Sequence, residues 1–256
     1  RFQFFNTLLD ITPGIAASYF SDFDNQVFPG IDLGVKITEN IRAYANAGYT
    51  YRVPTYTNLY YTSPTTISNA NLQAEKAVAE EVGIKWLHNR FNWTFAVFNR
   101  EADNLIDYVR AAETDAWQAQ NIQSVTTQGF ESQLDYQFKI KELKQKLHLG
   151  YSYLDNDIKR SDASFSQYAI NSMKHQFTGS IMLNWLKGLN TTFAYRYVER
   201  TAGMSYNVYD VNVSYRIKAM EWSMYANNIF NAEYIEAGMI PMPKGNVLFG
   251  LKYFFE

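Results

Sequence analysis

Residues 210–217 read Asp-Val-Asn-Val-Ser-Tyr-Arg-Ile, in which charged or polar side chains alternate with apolar ones. Successive side chains of an extended strand point to opposite faces, so this stretch presents one apolar face and one polar face. The same alternation recurs at 130–138, 147–153 and 178–185. Helical periodicity is almost absent, and the sequence therefore predicts an all-β chain.

The connections between the predicted strands alternate in length. Short turns are predicted near 38–40, 88–90, 140–145, 187–190 and 218–220. Longer links are predicted near 21–25, 54–74, 111–124, 155–168, 199–206 and 233–244. Bacterial outer-membrane barrels have short turns on one side and long loops on the other, whereas a soluble sandwich has no reason to sort its loops. We therefore predict a transmembrane, antiparallel, up-and-down β-barrel with about twelve strands of roughly 9 to 14 residues.

The composition agrees with a membrane barrel. Aromatic residues make up 17 % of the chain, with 20 tyrosines and 18 phenylalanines. These side chains favour boundaries between apolar and aqueous phases, such as barrel girdles, although an aromatic-rich soluble β-sandwich is the alternative. The net charge of −2, with scattered Lys and Arg, argues against nucleic-acid binding. A mean hydropathy of −0.31 suits a barrel, because only alternate residues meet lipid.

The last predicted strand ends in a distinctive pattern. Its apolar face carries Tyr253 and Phe255, which follow Gly250 at the third and fifth positions. This arrangement resembles the C-terminal signal by which outer-membrane barrels are recognised for insertion. Leu248, where a polar residue is common, and the final Glu256 depart from that signal. An ordinary amphipathic edge strand is the alternative.

A block that begins near residue 50 resembles a known family. Residues 51–55 read Tyr-Arg-Val-Pro-Thr, and the block continues through 59–61 and 69–76. It resembles the "FRxPTxxELY... NPNLKPE" block of TonB-dependent receptors, which forms a long extracellular loop in that family. The block departs from the family pattern at Asn58, Ala70 and Ala74. Three further stretches resemble family blocks in the same order, at 95–109, 129–131 and 227–234.

The resemblance covers nearly the whole chain and implies both a fold and a function. The family barrel has about 22 strands around a plug, so residues 1–256 are expected to form one domain, the C-terminal part of such a barrel without its plug. The implied function is energised uptake of cobalamin or an iron-siderophore across the bacterial outer membrane, without enzymatic chemistry. Implied partners are outer-membrane lipid, the TonB energy-coupling system, the plug of the intact protein and the barrel-assembly machinery. No cofactor is implied.

A self-contained twelve-stranded outer-membrane barrel is the alternative function class. An autotransporter translocator is expected to show a helix before its first strand, whereas residues 2–9 read as strand-like. A porin would lack the family blocks. An outer-membrane phospholipase uses Ser and His on the lipid-facing side, but the alternation places His148 opposite Leu147 and Leu149.

Tyrosines of the long loop are the candidate ligand-binding residues. Tyr56, Tyr60 and Tyr61 carry flat apolar rings with hydroxyl tips, which suit a large, planar, partly polar ligand. Their alternative role is in the outer aromatic girdle. The acid pairs at 22–24 and 155–157 are interpreted as solvated loop carboxylates, and no metal site is predicted.

One set of polar side chains alternates with the apolar faces of two strands. The set consists of Glu131, Gln133, Asp135, Gln137, Asp210, Asn212 and Arg216. Contact with lipid would be unfavourable for these groups, so they are predicted to face the barrel lumen. The family resemblance implies that they hydrogen-bond the plug in an intact receptor.

Overall fold

The structure, a computed structural model, describes residues 1–159, 165–167, 173–201, 203–236 and 240–255. No helix in these ranges is long and apolar enough to cross a membrane. The described chain divides into two compact units, and each is described by itself. The first unit lies within 1–85, 95–130 and 154–172, and the second within 86–94, 131–153 and 173–256.

The secondary structure is almost entirely β, as the alternation predicts. In chain order the elements are β1 (Phe2–Phe4), β2 (Leu9–Ser18), β3 (Gln26–Lys36), β4 (Ile41–Arg52), α1 (Tyr56–Tyr60), β5 (Thr66–Ile67), β6 (Glu75–His88), β7 (Phe91–Arg110), β8 (Trp117–Ile140), β9 (Leu143–Lys159), β10 (Phe165–Ser166), β11 (Met173–Leu186), β12 (Leu189–Arg200), β13 (Ser205–Ile217), β14 (Met220–Asn227) and β15 (Asn246–Tyr253). Strands β7, β8 and β9 contain 20, 24 and 17 residues and so exceed the predicted lengths.

The strands follow one another in chain order through the sheet. The hydrogen-bonded order is β1-β2-β3-β4-β6-β7-β8-β9-β11-β12-β13-β14-β15. Neighbouring strands pair in antiparallel register, for example β12 with β13 and β13 with β14. Leaving aside the three-residue β1, the path holds twelve strands within the described residues, so the predicted count and up-and-down order are confirmed. The short strands β5 and β10 lie off the path and pair with β8 and β7.

The predicted link at 111–124 is longer than the one in the structure. β8 begins at Trp117, so the connection is only 111–116. Residues 117–124 are rich in Gln and Asn and therefore read as a loop, yet β5 pairs in parallel with their first two residues. Local polarity indicates exposure to water, but it does not reveal that a distant segment supplies hydrogen-bonding partners.

Short and long connections alternate along the path. The turns at 89–90, 141–142 and 218–219 each begin with a left-handed residue, with φ of 46°, 54° and 53°. The turn at 187–188 uses Gly188 at φ 92°, where a Cβ would lie 2.4 Å from the carbonyl oxygen of Arg216. Parts of the predicted links 155–168, 199–206 and 233–244 lie outside the described residues.

The second unit shows how register produces two different faces. One ladder places Leu147, Ile181, Phe193 and Val211 side by side on four consecutive strands. The adjacent ladder on the other face runs from His148 through Ser180 and Ala194 to Asp210. Each favourable cross-strand pair contributes about 0.2–1 kcal/mol, so the two ladders reinforce one register.

Large apolar side chains of the second unit are exposed. Phe193 is 44 % exposed, Trp222 is 53 % exposed and Phe249 is 81 % exposed. All three lie on the same face as Val211, by the registers of β12 to β15. A continuous apolar face of this kind is stable where an apolar phase covers it, as lipid does in a membrane.

The buried apolar residues of the first unit lie where strands extend into loops. One cluster contains Leu59, Leu72, Ile106 and Ala119, with Phe23 and Tyr108 packed against it. A second cluster contains Val109, Ile122 and Val125, with Leu105 and Ile158 packed against it. The first unit therefore has a small core built from loop and strand-end residues.

Candidate ligand-binding pocket in the first unit

The helix α1 is fixed by a capping box. The amide of Asn58 donates to Thr55 Oγ1 at 3.2 Å, and the amide of Thr55 donates to Asn58 Oδ1 at 3.0 Å. This reciprocal pair satisfies two of the free amides at the helix start. Asn58 Nδ2 also donates to the hydroxyl of Tyr108 at 3.2 Å. Asn58 stands where the family pattern has Glu, and it completes the cap with a shorter side chain.

An ion pair closes the base of the same loop. Arg52 at the end of β4 binds Glu75 at the start of β6 through two hydrogen bonds, and its Nε lies 2.7 Å from Oε2. The Glu75 carboxylate also accepts the amide of Ile106 at 2.6 Å. The Glu75 side chain is only 8 % exposed. A buried carboxylate with three donors ties three strands together, because losing any donor leaves charge uncompensated.

A second tie joins this loop to the extension of β8. Asn121 Oδ1 accepts the amide of Gln73 at 2.8 Å, and its Nδ2 donates to the carbonyl of Gln73 at 3.0 Å. The same Nδ2 donates to the carbonyl of Asn104 at 2.7 Å. The amide of Trp117 donates to the carbonyl of Thr65 at 2.9 Å. The side-chain amide of Asn121 thus bonds both the backbone amide and the backbone carbonyl of Gln73, as a neighbouring strand would do in a ladder.

The same loop borders a cavity of about 750 Å³, and Gln73 and Asn104 of the second tie lie in its wall. Its walls carry aromatic rings, charged groups and side-chain amides. They include Phe20, Asp22, Phe23, Asp24, Tyr51, Tyr56, Tyr60, Asn71, Gln73, Lys76 and Asn104. Ligand pockets commonly measure about 300–1,000 Å³ and combine apolar walls with a few polar groups, and this cavity does the same.

The structure brings together two of the three predicted loop tyrosines. Tyr56 and Tyr60 both line the cavity, and their ring centroids lie 5.9 Å apart. They are 79 % and 64 % exposed, so each ring is available to a ligand. Tyr61 is also exposed, but it lies outside the residues that line the cavity. Among the three tyrosines, Tyr56 and Tyr60 are therefore the better candidates.

The polar set of β8 lies on one face in the second unit. Gln133 Nε2 donates to Asp135 Oδ2 at 3.4 Å, and Asp135 Oδ1 lies 2.9 Å from His148 Nδ1. Glu131 and Gln133 line a cavity of about 140 Å³ that also touches His148. The faces of β8 and β9 are thus polar on the side that the alternation predicts.

The polar set of β13 makes separate contacts. Asp210 Oδ1 accepts the amide of Asn228 at 2.7 Å and so holds the start of the link after β14. Asn212 lies between its neighbours on β12 and β14. The guanidinium of Arg216 lies 4.0 Å from the ring centroid of Phe254. Among the described residues, these three make their hydrogen bonds and ring contacts apart from Glu131, Gln133 and Asp135.

The terminal pattern extends past the last strand, because Gly250 and Tyr253 lie in β15 whereas Phe255 follows its end. Gly250 faces Ser223, where a Cβ would lie 2.5 Å from Ser223 Oγ. The rings of Tyr253 and Phe255 meet edge to face, with centroids 4.8 Å apart. The final Glu256 lies outside the described residues. Recognition of this pattern by the assembly machinery stays a prediction.

The loop carboxylates show no grouping suited to a metal. Asp22 and Asp24 lie in the wall of the first unit's cavity, whereas Asp155 and Asp157 lie within β9 rather than in a loop. Across the described parts of the chain, no three His, Cys, Asp or Glu side chains are close enough to hold a metal ion.

A family model described as TonB dependent receptor-like, beta-barrel, matches residues 1–232. The chain belongs to this family. The match covers all but the last 24 residues of the 256, and it confirms the resemblance drawn from the blocks near 51–76 and 227–234.

Among curated proteins, the chain is similar to the vitamin B12 transporter BtuB of Vibrio vulnificus strain YJ016. The two are 22 % identical over 209 residues, which is 80 % of this chain and 32 % of that transporter. The chain thus spans about a third of the length of this relative. BtuB of Vibrio cholerae is 21 % identical over 251 residues, which is 91 % of this chain and 38 % of that protein.

Solved structures of other proteins share this fold. The siderophore receptor PirA of Pseudomonas aeruginosa matches with a TM-score of 0.72 and 17 % identity, over 96 % of this chain and 44 % of that chain. The FrpB iron transporter of Neisseria meningitidis matches with a TM-score of 0.67 and 17 % identity, over 90 % and 38 %. At these identities the likeness shows the fold alone.

Several residues that position the pocket are absent from the sequence predictions. Glu75 and Asn121 hold the loop, yet their partners lie 31 and 48 positions away in sequence. The one available signal was the pair of opposite charges, Arg52 and Glu75, at the two ends of the family block. No local pattern marks Asn121, because its role depends on which segment lies beside it.

Proposed function

We propose that this chain forms part of the barrel wall and outer loops of a receptor that takes up a large, scarce nutrient across the bacterial outer membrane. The nutrient classes that we propose are a corrinoid such as cobalamin and an iron-siderophore. In this proposal the TonB system supplies the energy and a plug closes the lumen of the intact receptor. The proposed role is binding and transport, without enzymatic chemistry.

The observation that carries this proposal is the aromatic cavity in the first unit. Tyr56 and Tyr60 present exposed rings on a loop that is fixed by a capping box and by the Arg52–Glu75 pair. A pre-organised surface loses little conformational entropy when a ligand binds, so it gains affinity from the same contacts. The size of the cavity suits a ligand much larger than a simple ion or sugar.

The charged side chains in the cavity wall support the proposal that the cavity binds a partly polar ligand. Asp22, Asp24 and Lys76 all line it, together with side-chain amides such as Asn71 and Gln73. Amides and charges of both signs hydrogen-bond to ligand groups that donate and to groups that accept. Corrinoids and ferric chelates both combine flat apolar surface with such groups.

The polar faces support the same function at the level of the barrel. We propose that Glu131, Gln133 and Asp135 of β8, and the alternating polar residues of β13, face the lumen and the plug. The opposite face carries exposed apolar residues such as Phe193 and Trp222, which suit contact with outer-membrane lipid. The aromatic end of β15 is proposed as the signal read by the assembly machinery.

Replacement of a cavity tyrosine tests this proposal. We expect Tyr56→Ala to weaken nutrient binding by about tenfold, because truncating an aromatic anchor commonly removes more than 1 kcal/mol of binding energy. The measurement is uptake of radiolabelled cyanocobalamin, and of a radiolabelled ferric siderophore, by cells that express the gene encoding this chain and lack other receptors. Tyr61→Ala, outside the cavity, is the matched control and should leave uptake unchanged. Equal losses in the two variants would count against the cavity, and uptake of neither nutrient would count against both proposed classes.

A further inference from the structure

In the second unit, a carboxylate of the chain itself occupies a site built from arginine and tyrosine. Glu236 lies in the link between β14 and β15, and its Oε1 is 2.6 Å from Nη1 of Arg196 on β12. The hydroxyl of Tyr206 donates to the same Oε1 at 3.3 Å. A second guanidinium, that of Arg200, donates to the backbone carbonyls of Ile235 and Glu236.

An aromatic pair forms one side of this site. The rings of Tyr206 and Tyr234 are stacked, with centroids 4.6 Å apart and an interplanar angle of 28°. The guanidinium of Arg196 lies 5.7 Å from the ring centroid of Tyr234, and its Nη2 donates to the Tyr234 hydroxyl at 3.4 Å. A planar guanidinium held beside aromatic rings is restricted in orientation, so its outer donors are directed at a single place.

The location of the site agrees with access from water rather than from lipid. On β12, Arg196 alternates with Tyr195 and Tyr197, which lie on the apolar face. The side chains of Arg196 and Glu236 are about one-third exposed, at 33 % and 31 %. The ion pair therefore remains partly solvated, and an ion pair of this kind is weak enough to be exchanged for a competing anion.

We propose that Arg196 and Tyr206, with Tyr234 beside Arg196 and Arg200 holding the backbone of the link, form a binding site for a carboxylate group of the imported nutrient, and that Glu236 occupies this site in the absence of ligand. Guanidinium groups bind carboxylates by paired, charge-assisted hydrogen bonds, so a ligand carboxylate and that of Glu236 compete for the same donors. This inference rests on the proposed function in one respect, namely that the carboxylate belongs to a nutrient that the receptor takes up. It favours a carboxylate-bearing ferric chelate over a corrinoid without free carboxylates as the transported class.

Citrate is a suitable probe, because it presents three carboxylates without an aromatic or corrin group. In calorimetric titrations of the full chain in detergent, Glu236→Gln should bind citrate about tenfold more tightly than the unaltered protein, since it removes the internal competitor. Adding Arg196→Gln to that variant should remove the gain. Glu233→Gln is the matched control, because Glu233 is a carboxylate of the same link that binds Lys244 instead. A gain in Glu233→Gln, or no gain in Glu236→Gln, would overturn the proposal.

A second readout covers the case in which a variant folds poorly. Phenylglyoxal modifies accessible guanidinium groups, and the modified positions are found by mass spectrometry. Citrate should protect Arg196 from modification in both proteins, but a lower citrate concentration should suffice in Glu236→Gln than in the unaltered protein. Cyanocobalamin should not protect Arg196 in either protein. Absence of protection by citrate in both proteins would contradict the site. Loss of nutrient uptake in Tyr56→Ala with no citrate effect would instead leave the cavity of the first unit standing and remove only this inference.

Discussion

The loop at 53–74 in the first unit and the link at 228–245 in the second are both long connections, but they are held in different ways. The first loop surrounds a buried cluster with Leu59 and Leu72, and its base is closed by a carboxylate that is 8 % exposed. The second link is held at its start by the buried Asn228 and, further along its described residues, by polar contacts that stay partly in water, such as the pair of Arg196 with Glu236. It also contains the exposed pair of Glu233 with Lys244.

The way in which each connection is held indicates how easily it changes conformation. Buried apolar contacts and a buried, fully bonded carboxylate give one loop conformation, because every alternative exposes apolar surface or leaves charge unpaired. Partly solvated ion pairs contribute little stability and are exchanged at low cost. We therefore expect the first loop to act as a rigid platform and the second link to respond to anions and pH.

The largest effect in this comparison is expected from Glu75→Ala. The substitution leaves Arg52 and the amide of Ile106 without their acceptor. We expect local opening of the loop to become easier by about 3 kcal/mol, because three hydrogen bonds to a charged group are lost, each worth about 1.5–3 kcal/mol, while Arg52, which is 53 % exposed, is partly compensated by water. Hydrogen exchange of the amides at 52–76 in detergent measures this change. Glu39→Gln, which removes an exposed turn carboxylate bound to Lys36, should leave the same amides unchanged.

A smaller effect is expected from the apolar part of the same platform. Leu72 is 4 % exposed, and truncation to alanine removes buried methyl groups from the cluster with Leu59 and Ile106. We expect Leu72→Ala to cost about 2 kcal/mol, at the low end for core leucines because a loop can partly collapse into the space. The same hydrogen-exchange experiment measures it. Ile67→Ala, at a 41 % exposed position of the same loop, should change exchange by less than about 0.5 kcal/mol. Equal effects at the two positions would show that the cluster does not stabilise the loop.

The smallest effect concerns pH and the second link. A hydrogen bond from Lys244, together with its charge, holds the pKa of Glu233 below its usual range. A carboxyl whose folded pKa is lowered stabilises the folded link above its unfolded pKa, and this contribution is lost as the pH falls through the folded value. Glu233→Gln should therefore slightly increase exchange of the link's amides near neutral pH, and this difference should disappear at an acidic pH below the folded pKa of Glu233. A difference that persists at the acidic pH would assign the effect to something other than charge.

The all-β class, the antiparallel strand order and the family are readable from the amino-acid sequence alone. Alternation with a period of two is a local property of each strand, so it is readable without knowledge of any partner. The lengths of the connections and the blocks at 51–76 and 227–234 are equally local. They were sufficient to predict about twelve strands, and to place Tyr56 and Tyr60 in one exposed loop.

The contacts that hold the candidate binding residues in place became visible only in the folded chain. Four features depend on which distant segments lie side by side. They are the full length of β8, the three donors to Glu75, the place of Asn121 beside Gln73, and the position of Tyr61 outside the cavity wall. The same holds for Arg196 and Glu236, which are 40 positions apart and meet because β12 and the link after β14 converge. A charged or amide side chain has the same local signature whether it is solvated or bonded, because its state is set by partners that strand register brings to it.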